Sequence, residues 1–394
     1  MAERGLQVGV IGAGAMGRGI AQVAASAGHS VLLADANAGV VQQARTNIAR
    51  TLDRDVEKRR RSRDEANEVL ARIVDAGEVS GGYEAFRTCG LVIEAVVERL
   101  DVKRALFTAL EKVVAPDAVL ATNTSSLSVA AIAGACTAAG RAIGIHFFNP
   151  AAVMPLVEIV PAITTDPSVT ERVTSLIAGW GKTVVVATDT PGFIVNRVAR
   201  PFYGESLRQL EEGVADVATI DWAMRDLGGF RMGPFELMDF IGNDVNYAVT
   251  QSVFESFFYD PRYTPALTQR RLVEAGLYGR KRDRGYYDYR EGASRPEPVQ
   301  DEALGRAILD RTLAMLINEA VDAVHHRVAS PGDIETAMTR GVNYPRGLLA
   351  WGDEIGPPVI LHRLEELQDD YGEDRYRPSV LLRRRVRERR PLLS

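Results

Sequence analysis

The sequence predicts an α/β domain on a mostly parallel sheet, followed by two all-α domains. Three observations carry that prediction. Between residues 6 and 187 short apolar runs alternate with helical patterns, which is the order of βαβ units. Beyond Asp189 the alternation stops and only helical patterns remain. A second helical region then repeats the first at a fixed spacing, the mark of a duplicated unit. Ile220, Ala223, Met224, Gly233, Asp239, Ile241 and Gly242 recur 114 positions later (334 minus 220) as Ile334, Ala337, Met338, Gly347, Asp353, Ile355 and Gly356.

The expected strands are LQVGVI, SVLLA, LVIEAVV, AVLAT, AIGIH and TVVVA. The helical part is expected to open at Pro191, with Thr190 as its N-cap. Residues 290–298 (REGASRPEP) are polar and hold two prolines, which suits a linker. The resulting domains are 1–188, 189–290 and 299–394. A chain of 394 residues is too long for one ordinary core, and this division gives each part its own.

Composition narrows the function classes. A chain 46% hydrophobic and 25% charged is globular, and a formal charge of −5 gives no general attraction for nucleic acid. Any anion site must be local. The start, MAERGLQVGVIGAG, enters a strand directly and lacks the basic and long apolar regions of a secretory signal. No window approaches the roughly 20 uninterrupted apolar residues of a membrane helix. Cys89 and Cys136 stand in no metal-ligand spacing, so no metal is expected, and they fit a reducing, cytoplasmic setting as core thiols.

The first chemical signal is Gly12-Ala13-Gly14-Ala15-Met16-Gly17, between an apolar strand and an alanine-rich helix. In that context the first glycine permits a tight turn and the second lets a pyrophosphate approach the backbone. The third lets the helix pack on the strand. Free amides and the helix dipole then favour phosphate. Asp35 ends the next strand, where a carboxylate accepts both ribose hydroxyls and repels a 2′-phosphate, so NAD is expected rather than NADP. This is a Rossmann-type arrangement.

The second signal lies at the carboxyl ends of the other strands, which line the ligand crevice of an open parallel sheet. Glu98, Asn123, Ser125 and His146 all fall there. Oxidation of a carbinol needs a base with a pKa near the working pH, and histidine meets that need. Of five histidines, His29 lies in a turn and His325, His326 and His362 lie in the duplicated region, which leaves His146. Glu158 follows twelve residues on; an Asn149-Pro150 turn can return residues 156–160 beside the preceding strand. A carboxylate between Val157 and Ile159 is costly to bury without a partner, and the imidazole is the natural one.

These stretches resemble the 3-hydroxyacyl-CoA dehydrogenase family, its bacterial 3-hydroxybutyryl-CoA members in particular. The matching text is GVIGAGAMGRGIA, VIEAVVERLDVK, TNTSSL, GIHFFNP, MPLVEIV, TPGFIVNR, MGPFELMDFIG and GRKRDRGYYDY. After Leu304, INEAVDAV, IETAM and NYPRGLLAWGDEIG resemble the family's second helical domain, of the 6-phosphogluconate-dehydrogenase C-terminal kind.

The resemblance implies His146 as base with Glu158 as partner, and Ser125 and Asn196 holding the reacting oxygens. It implies NAD contacts from Gly12 to Gly17, Asp35, Glu98, Lys103, Asn123, Ser125, Asn149 and Lys281, and coenzyme A contacts from Thr51 and Lys58. Ser125 can equally cap a helix starting near Ser126, and Asn196 can face solvent. The Glu57-Lys58-Arg59-Arg60-Arg61 cluster suits phosphate or a solvated helix end equally. Arg282 and Asp283 depart from the family's Ser/Thr-Gly after the lysine, which leaves the surroundings of Lys281 open.

The expected partner is a small acyl-CoA, with neither nucleic acid nor membrane. The chain is expected as monomer or homodimer, the second helical copy standing in for a partner subunit. The expected substrate is 3-hydroxybutyryl-CoA, with 3-hydroxyadipyl-CoA of phenylacetate breakdown as the alternative. A dehydrogenase of free hydroxy acids of the sugar-acid type, and a non-catalytic NAD-binding protein, are the remaining readings.

Overall fold

The computed structural model describes residues 5–79 and 82–394. It divides into two compact units, Met1–Thr190 and Pro191–Ser394.

The first unit is an eight-stranded sheet in the order β3-β2-β1-β4-β5-β6-β7-β8. The strands are β1 (Gln7–Ile11), β2 (Ser30–Asp35), β3 (Ile73–Glu78), β4 (Leu91–Glu94), β5 (Val119–Thr122), β6 (Ala142–Phe147), β7 (Leu156–Pro161) and β8 (Thr183–Val186). All neighbours are parallel except β6 and β7. Six of the eight are the expected apolar runs; the inner ones are buried because helices cover parallel sheets, while the edge strand β8 leaves Val186 exposed. Val8, Val10, Val31, Leu33 and Ile93 are wholly inside, each stabilising the unit by roughly 1.5–3 kcal/mol.

The helices of this unit are α1 (Ala15–Ser26), α2 (Ala38–Glu57), α3 (Arg63–Arg72), α4 (Leu100–Glu111), α5 (Val129–Ala133) and α6 (Pro167–Gly179). From β1 the chain runs outward to β3 and then returns to β4 on the other side of β1. That reversal opens a crevice at the carboxyl ends of β1 and β4.

The strand β3 escaped the sequence pattern. IVDAGE carries Asp75, Gly77 and Glu78, and as an edge strand it pairs only with β2, with a register shift between Leu33 and Ala34. Two cap expectations are corrected. The helix after β5 starts at Val129 and is capped by Ser128, whose hydroxyl accepts from Ala131 N at 3.2 Å, so Ser125 is not its cap. Thr190 is no N-cap either: Gly192 and Phe193 take left-handed φ values of 75° and 49°, and helix begins only at Val195.

The second unit is all helix: α7 (Val195–Val198), α8 (Arg200–Glu211), α9 (Val217–Trp222), α10 (Pro234–Ile241), α11 (Asn243–Ser256), α12 (Leu267–Glu274), α13 (Glu302–His325), α14 (Pro331–Gly341), α15 (Leu348–Ile355), α16 (Pro357–Tyr371) and α17 (Val380–Glu388). No helix among the described residues is long and apolar enough to cross a membrane.

The duplication is physical. Asp221 accepts from Phe235 N (2.9 Å) and Glu236 N (3.0 Å), answering first-turn amides of α10 that have no acceptor within the helix. Glu335, 114 positions on, accepts from Leu349 N (2.8 Å) and Ala350 N (3.2 Å) at the start of α15. Ile220, Ala223 and Met224 are wholly buried, and so are Ile334, Ala337 and Met338.

The two helical copies, expected at 189–290 and 299–394, both lie in this second compact unit. The helix α13 packs on α8 from the first copy and on α15, α16 and α17 from the second. Buried charges reinforce the junction. Arg197 donates to Glu319 at 2.6 Å and to Asp322 at 3.1 Å, Arg262 donates to Asp322 at 3.0 Å, and the Tyr263 hydroxyl donates to Glu319 at 2.6 Å. Removing one partner of such a cluster leaves a buried charge uncompensated. Glu319→Leu is therefore expected to lower unfolding free energy by about 3–5 kcal/mol, read as a lower urea midpoint.

Candidate active site

The glycine turn leaves β1 at Ile11. Gly12 takes φ 98°, donates to the Ala34 carbonyl at 2.8 Å, and has no room for a side chain: a Cβ there would sit 2.5 Å from the Ala95 carbonyl oxygen. At Gly17 a Cβ would fall 1.7 Å from the Gly12 oxygen, so the helix can start this close to the strand only with glycine. A Cβ at Gly14 would meet nothing within 4 Å. That open cradle in front of the α1 amides is what a pyrophosphate needs. Asp35 stands beside it and accepts from Ala13 N at 2.7 Å and Asn37 N at 3.2 Å. Its carboxylate is thus fixed at the carboxyl end of β2, where a ribose would lie.

Behind the crevice a charged cluster is buried. Lys103 is 1% exposed and donates to Glu94 at 2.7 and 2.9 Å, with Glu98 at 3.1 Å. Glu98 also accepts from the Thr124 hydroxyl (2.5 Å) and Ser125 N (3.0 Å). Burial pushes the Glu98 pKa up, but the Lys103 ammonium and these hydrogen bonds outweigh it and hold the carboxyl below its ordinary range. The expected contact residue Lys103 thus has its three donors on carboxylates, and it stands behind Glu98. The sequence reading passed over Glu94. Its signal was an acid inside the apolar run LVIEAVV nine residues before a lysine.

The other polar residues converge at the same edge. Asn123 follows β5, and its side-chain oxygen accepts from Phe147 N at 2.9 Å, tying the ends of β5 and β6. The chain then turns through a cis Asn149-Pro150 bond and returns antiparallel as β7. In that register His146 is directly opposite Glu158, so both side chains leave the same face. Nδ1 of His146 lies 2.7 Å from Oε2 of Glu158, with the imidazole 6% exposed and the carboxylate fully buried. A carboxylate accepts, so Nδ1 carries the hydrogen and the lone pair falls on Nε2. The Phe148 ring lies 4.6 Å from the imidazole. Lys182, to which the sequence reading gave no role, donates to the carbonyls of Ala151 (2.6 Å) and Met154 (2.8 Å) and fixes the turn.

Thr51 and Lys58 are exposed, seven residues and so about two turns apart on one side of α2. In the second unit Asn196 is half-buried on α7. Lys281 lies 2.6 Å from Asp244, and its ammonium lies over the Tyr278 ring at 5.3 Å. Asp283 adopts φ 57°, a left-handed conformation that Asp tolerates better than most residues, so the chain turns after Lys281 without glycine.

Residues 7–190 match the family model of the 3-hydroxyacyl-CoA dehydrogenase NAD-binding domain. Residues 192–289 and 308–391 each match the model of the family's C-terminal domain. The chain belongs to the 3-hydroxyacyl-CoA dehydrogenase family.

The family members are NAD-dependent oxidoreductases, and the open cradle at Gly14 with Asp35 beside it fits that cofactor. The 3-hydroxyadipyl-CoA dehydrogenase of Escherichia coli K12 is 40% identical over 96% of this chain and 97% of its own. The 3-hydroxybutyryl-CoA dehydrogenase of Bradyrhizobium diazoefficiens is 42% identical, over 75% of this chain and 98% of its own. A crystal structure of 3-hydroxybutyryl-CoA dehydrogenase from Escherichia coli K12 superposes with a TM-score of 0.91 at 39% identity, covering 98% of this chain and 99% of that one. The chain is an NAD-dependent 3-hydroxyacyl-CoA dehydrogenase, and its substrate is a small coenzyme A thioester.

The Glu94-Lys103-Glu98 cluster is expected to hold the floor of the nucleotide crevice. Lys103→Met is expected to lower unfolding free energy by about 3–5 kcal/mol, because two carboxylates lose their counter-charge. A guanidinium melt with an unchanged midpoint would refute that reading.

Proposed function

We propose that His146 and Glu158 are the acid/base pair for interconversion of (S)-3-hydroxyacyl-CoA and 3-oxoacyl-CoA. The observation that carries this is the 2.7 Å hydrogen bond from imidazole to buried carboxylate at the carboxyl edge of the sheet. Bound NAD supplies the hydride acceptor on its nicotinamide ring. Nε2 of His146 takes the proton of the 3-hydroxyl as the carbonyl forms at C3, and returns it in the reverse direction. Glu158 holds the ring in the tautomer that can do so and stabilises the imidazolium that results. Ser125 and Asn196 restrain the reacting oxygen.

Asp35 receives the ribose hydroxyls, and Gly12 to Gly17 the pyrophosphate. Glu98, Asn123, Asn149 and Lys281 complete the cofactor contacts, with Lys103 acting through Glu98. Thr51 and Lys58 take the coenzyme A end, where the one-sided placement on α2 supports them. The substrate read first from the sequence is 3-hydroxybutyryl-CoA; the match to the 3-hydroxyadipyl-CoA enzyme along both helical copies supports the dicarboxylic substrate, the alternative reading. The chain acts as a cytoplasmic monomer or homodimer, a setting in keeping with the free thiols of Cys89 and Cys136.

His146→Ala is expected to reduce kcat by about 10²–10⁴ while the NAD dissociation constant stays nearly constant. Near-normal turnover would end the assignment. NADH consumption with acetoacetyl-CoA, 3-oxoadipyl-CoA and free acetoacetate, run in parallel, is expected to show turnover with thioesters only. Efficient use of the free acid would transfer the chain to the hydroxy-acid dehydrogenases.

A further inference from the structure

Arg197 and Arg200 lie three residues apart, both buried, and they are treated differently. Arg197, 3% exposed, is answered by Glu319 and Asp322. Arg200, 7% exposed, has no carboxylate within 4 Å among the described residues. Its Nη1 donates to the Thr250 hydroxyl at 3.1 Å, its guanidinium lies over the Tyr203 ring at 4.8 Å, and its Nε has no acceptor. Taking a guanidinium out of water without a counter-charge costs several kcal/mol, which folding alone gives no reason to retain. Burial accordingly holds the Arg200 pKa below its ordinary value.

A second orphan stands nearby. The Tyr344 hydroxyl is buried and has no partner, and its ring packs on Phe202 (5.7 Å) and Phe230 (5.0 Å) in the same cluster. Both groups lack the same thing, an acceptor. A carboxylate supplies two acceptor oxygens and the missing negative charge, and its planar shape matches the guanidinium fork.

The position says which carboxylate. Arg200 follows Asn196 by four residues, and Ala199 between them keeps helical angles (φ −81°, ψ −8°). Residues four apart share a helix face with Cβ atoms about 5–6 Å apart. In a six-carbon 3-hydroxydicarboxylic thioester, C3 and the terminal carboxyl carbon are separated by three carbon–carbon bonds, a span of that order.

We propose that Arg200, assisted by Tyr344, receives a carboxylate at the far end of the acyl chain and makes 3-hydroxydicarboxylyl-CoA the preferred substrate class. The proposal rests on the dehydrogenase reading above, with Asn196 at the reacting oxygen. An acyl chain ending in a methyl group leaves the guanidinium unanswered. That penalty, more than any new attraction, sets the preference.

The test compares 3-oxoadipyl-CoA with 3-oxohexanoyl-CoA, which has a methyl in place of the carboxylate, using acetoacetyl-CoA as reference. In the native chain kcat/KM is expected to favour 3-oxoadipyl-CoA over 3-oxohexanoyl-CoA by about 100-fold or more. Arg200→Met is expected to bring that ratio within about 3-fold of unity, mainly through KM, and Arg200→Lys to recover part of it. Tyr344→Phe is expected to lower the ratio about 5-fold, the effect of one hydrogen bond. If Arg200→Met does not fold, the Arg200→Lys and Tyr344→Phe ratios decide. A native chain that treats the two six-carbon substrates alike, or variants that keep the native ratio, would overturn the proposal and leave the dehydrogenase reading intact. Failure of the native chain to reduce any of the three thioesters would instead remove that reading.

Discussion

Burial of the Glu158 carboxylate is the constraint around which the ends of β6 and β7 are arranged. A charged group removed from water needs a partner at hydrogen-bond distance, and the single reversal of strand direction between β6 and β7 provides it. Had β7 run parallel, the regular antiparallel pairing that sets His146 against Glu158 would be lost. The reversal is itself held from two sides: Asn123 fixes the end of β6 through Phe147, and Lys182 fixes the turn through the carbonyls of Ala151 and Met154. Orientation of the imidazole therefore derives from backbone geometry more than from the two side chains alone.

The buried charges elsewhere obey the same rule. Lys103 sits between Glu94 and Glu98, and Arg197 and Arg262 share Glu319 and Asp322. Arg311 meets Glu205 and Glu212. Against these compensated sets Arg200 stands out by the absence of a carboxylate among the described residues. Arg197, Arg262 and Arg311 each have a carboxylate at hydrogen-bond distance, and under the proposal above Arg200 takes its carboxylate from the substrate.

Much of the fold was legible because the parallel sheet writes itself as unbroken apolar runs. The strand β3 was not: an edge strand needs one partner and one covered face, so IVDAGE carries acid and glycine at little cost. His146, Glu158 and the glycine turn were legible because each places a residue type where burial or backbone geometry leaves few alternatives. Lys103 was found as a residue but not in its setting, since only three-dimensional structure shows that Glu94 takes up its donors. The caps failed for local reasons. Ser125 and Ser128 have equal chemistry, and only the Asp189 carboxylate, which accepts from Ser128 Oγ, Val129 N and Ala130 N, marks where the helix begins.

The duplicated helices divide their labour in a way their residues explain. The first copy carries TPGFIVNR, hence Asn196 and Arg197, with Arg200 three residues beyond; the second has no counterpart of that stretch but keeps the buried isoleucine, alanine and methionine and the carboxylate at a helix start, with Glu335 for Asp221. What α13 adds is Glu319 and Asp322, which neutralise Arg197, the residue next to Asn196. The helix that presents Asn196 is thus braced by charge from the second copy. A chain that retained only the first copy would need that bracing from another molecule, which is a physical reason for carrying both copies in one polypeptide.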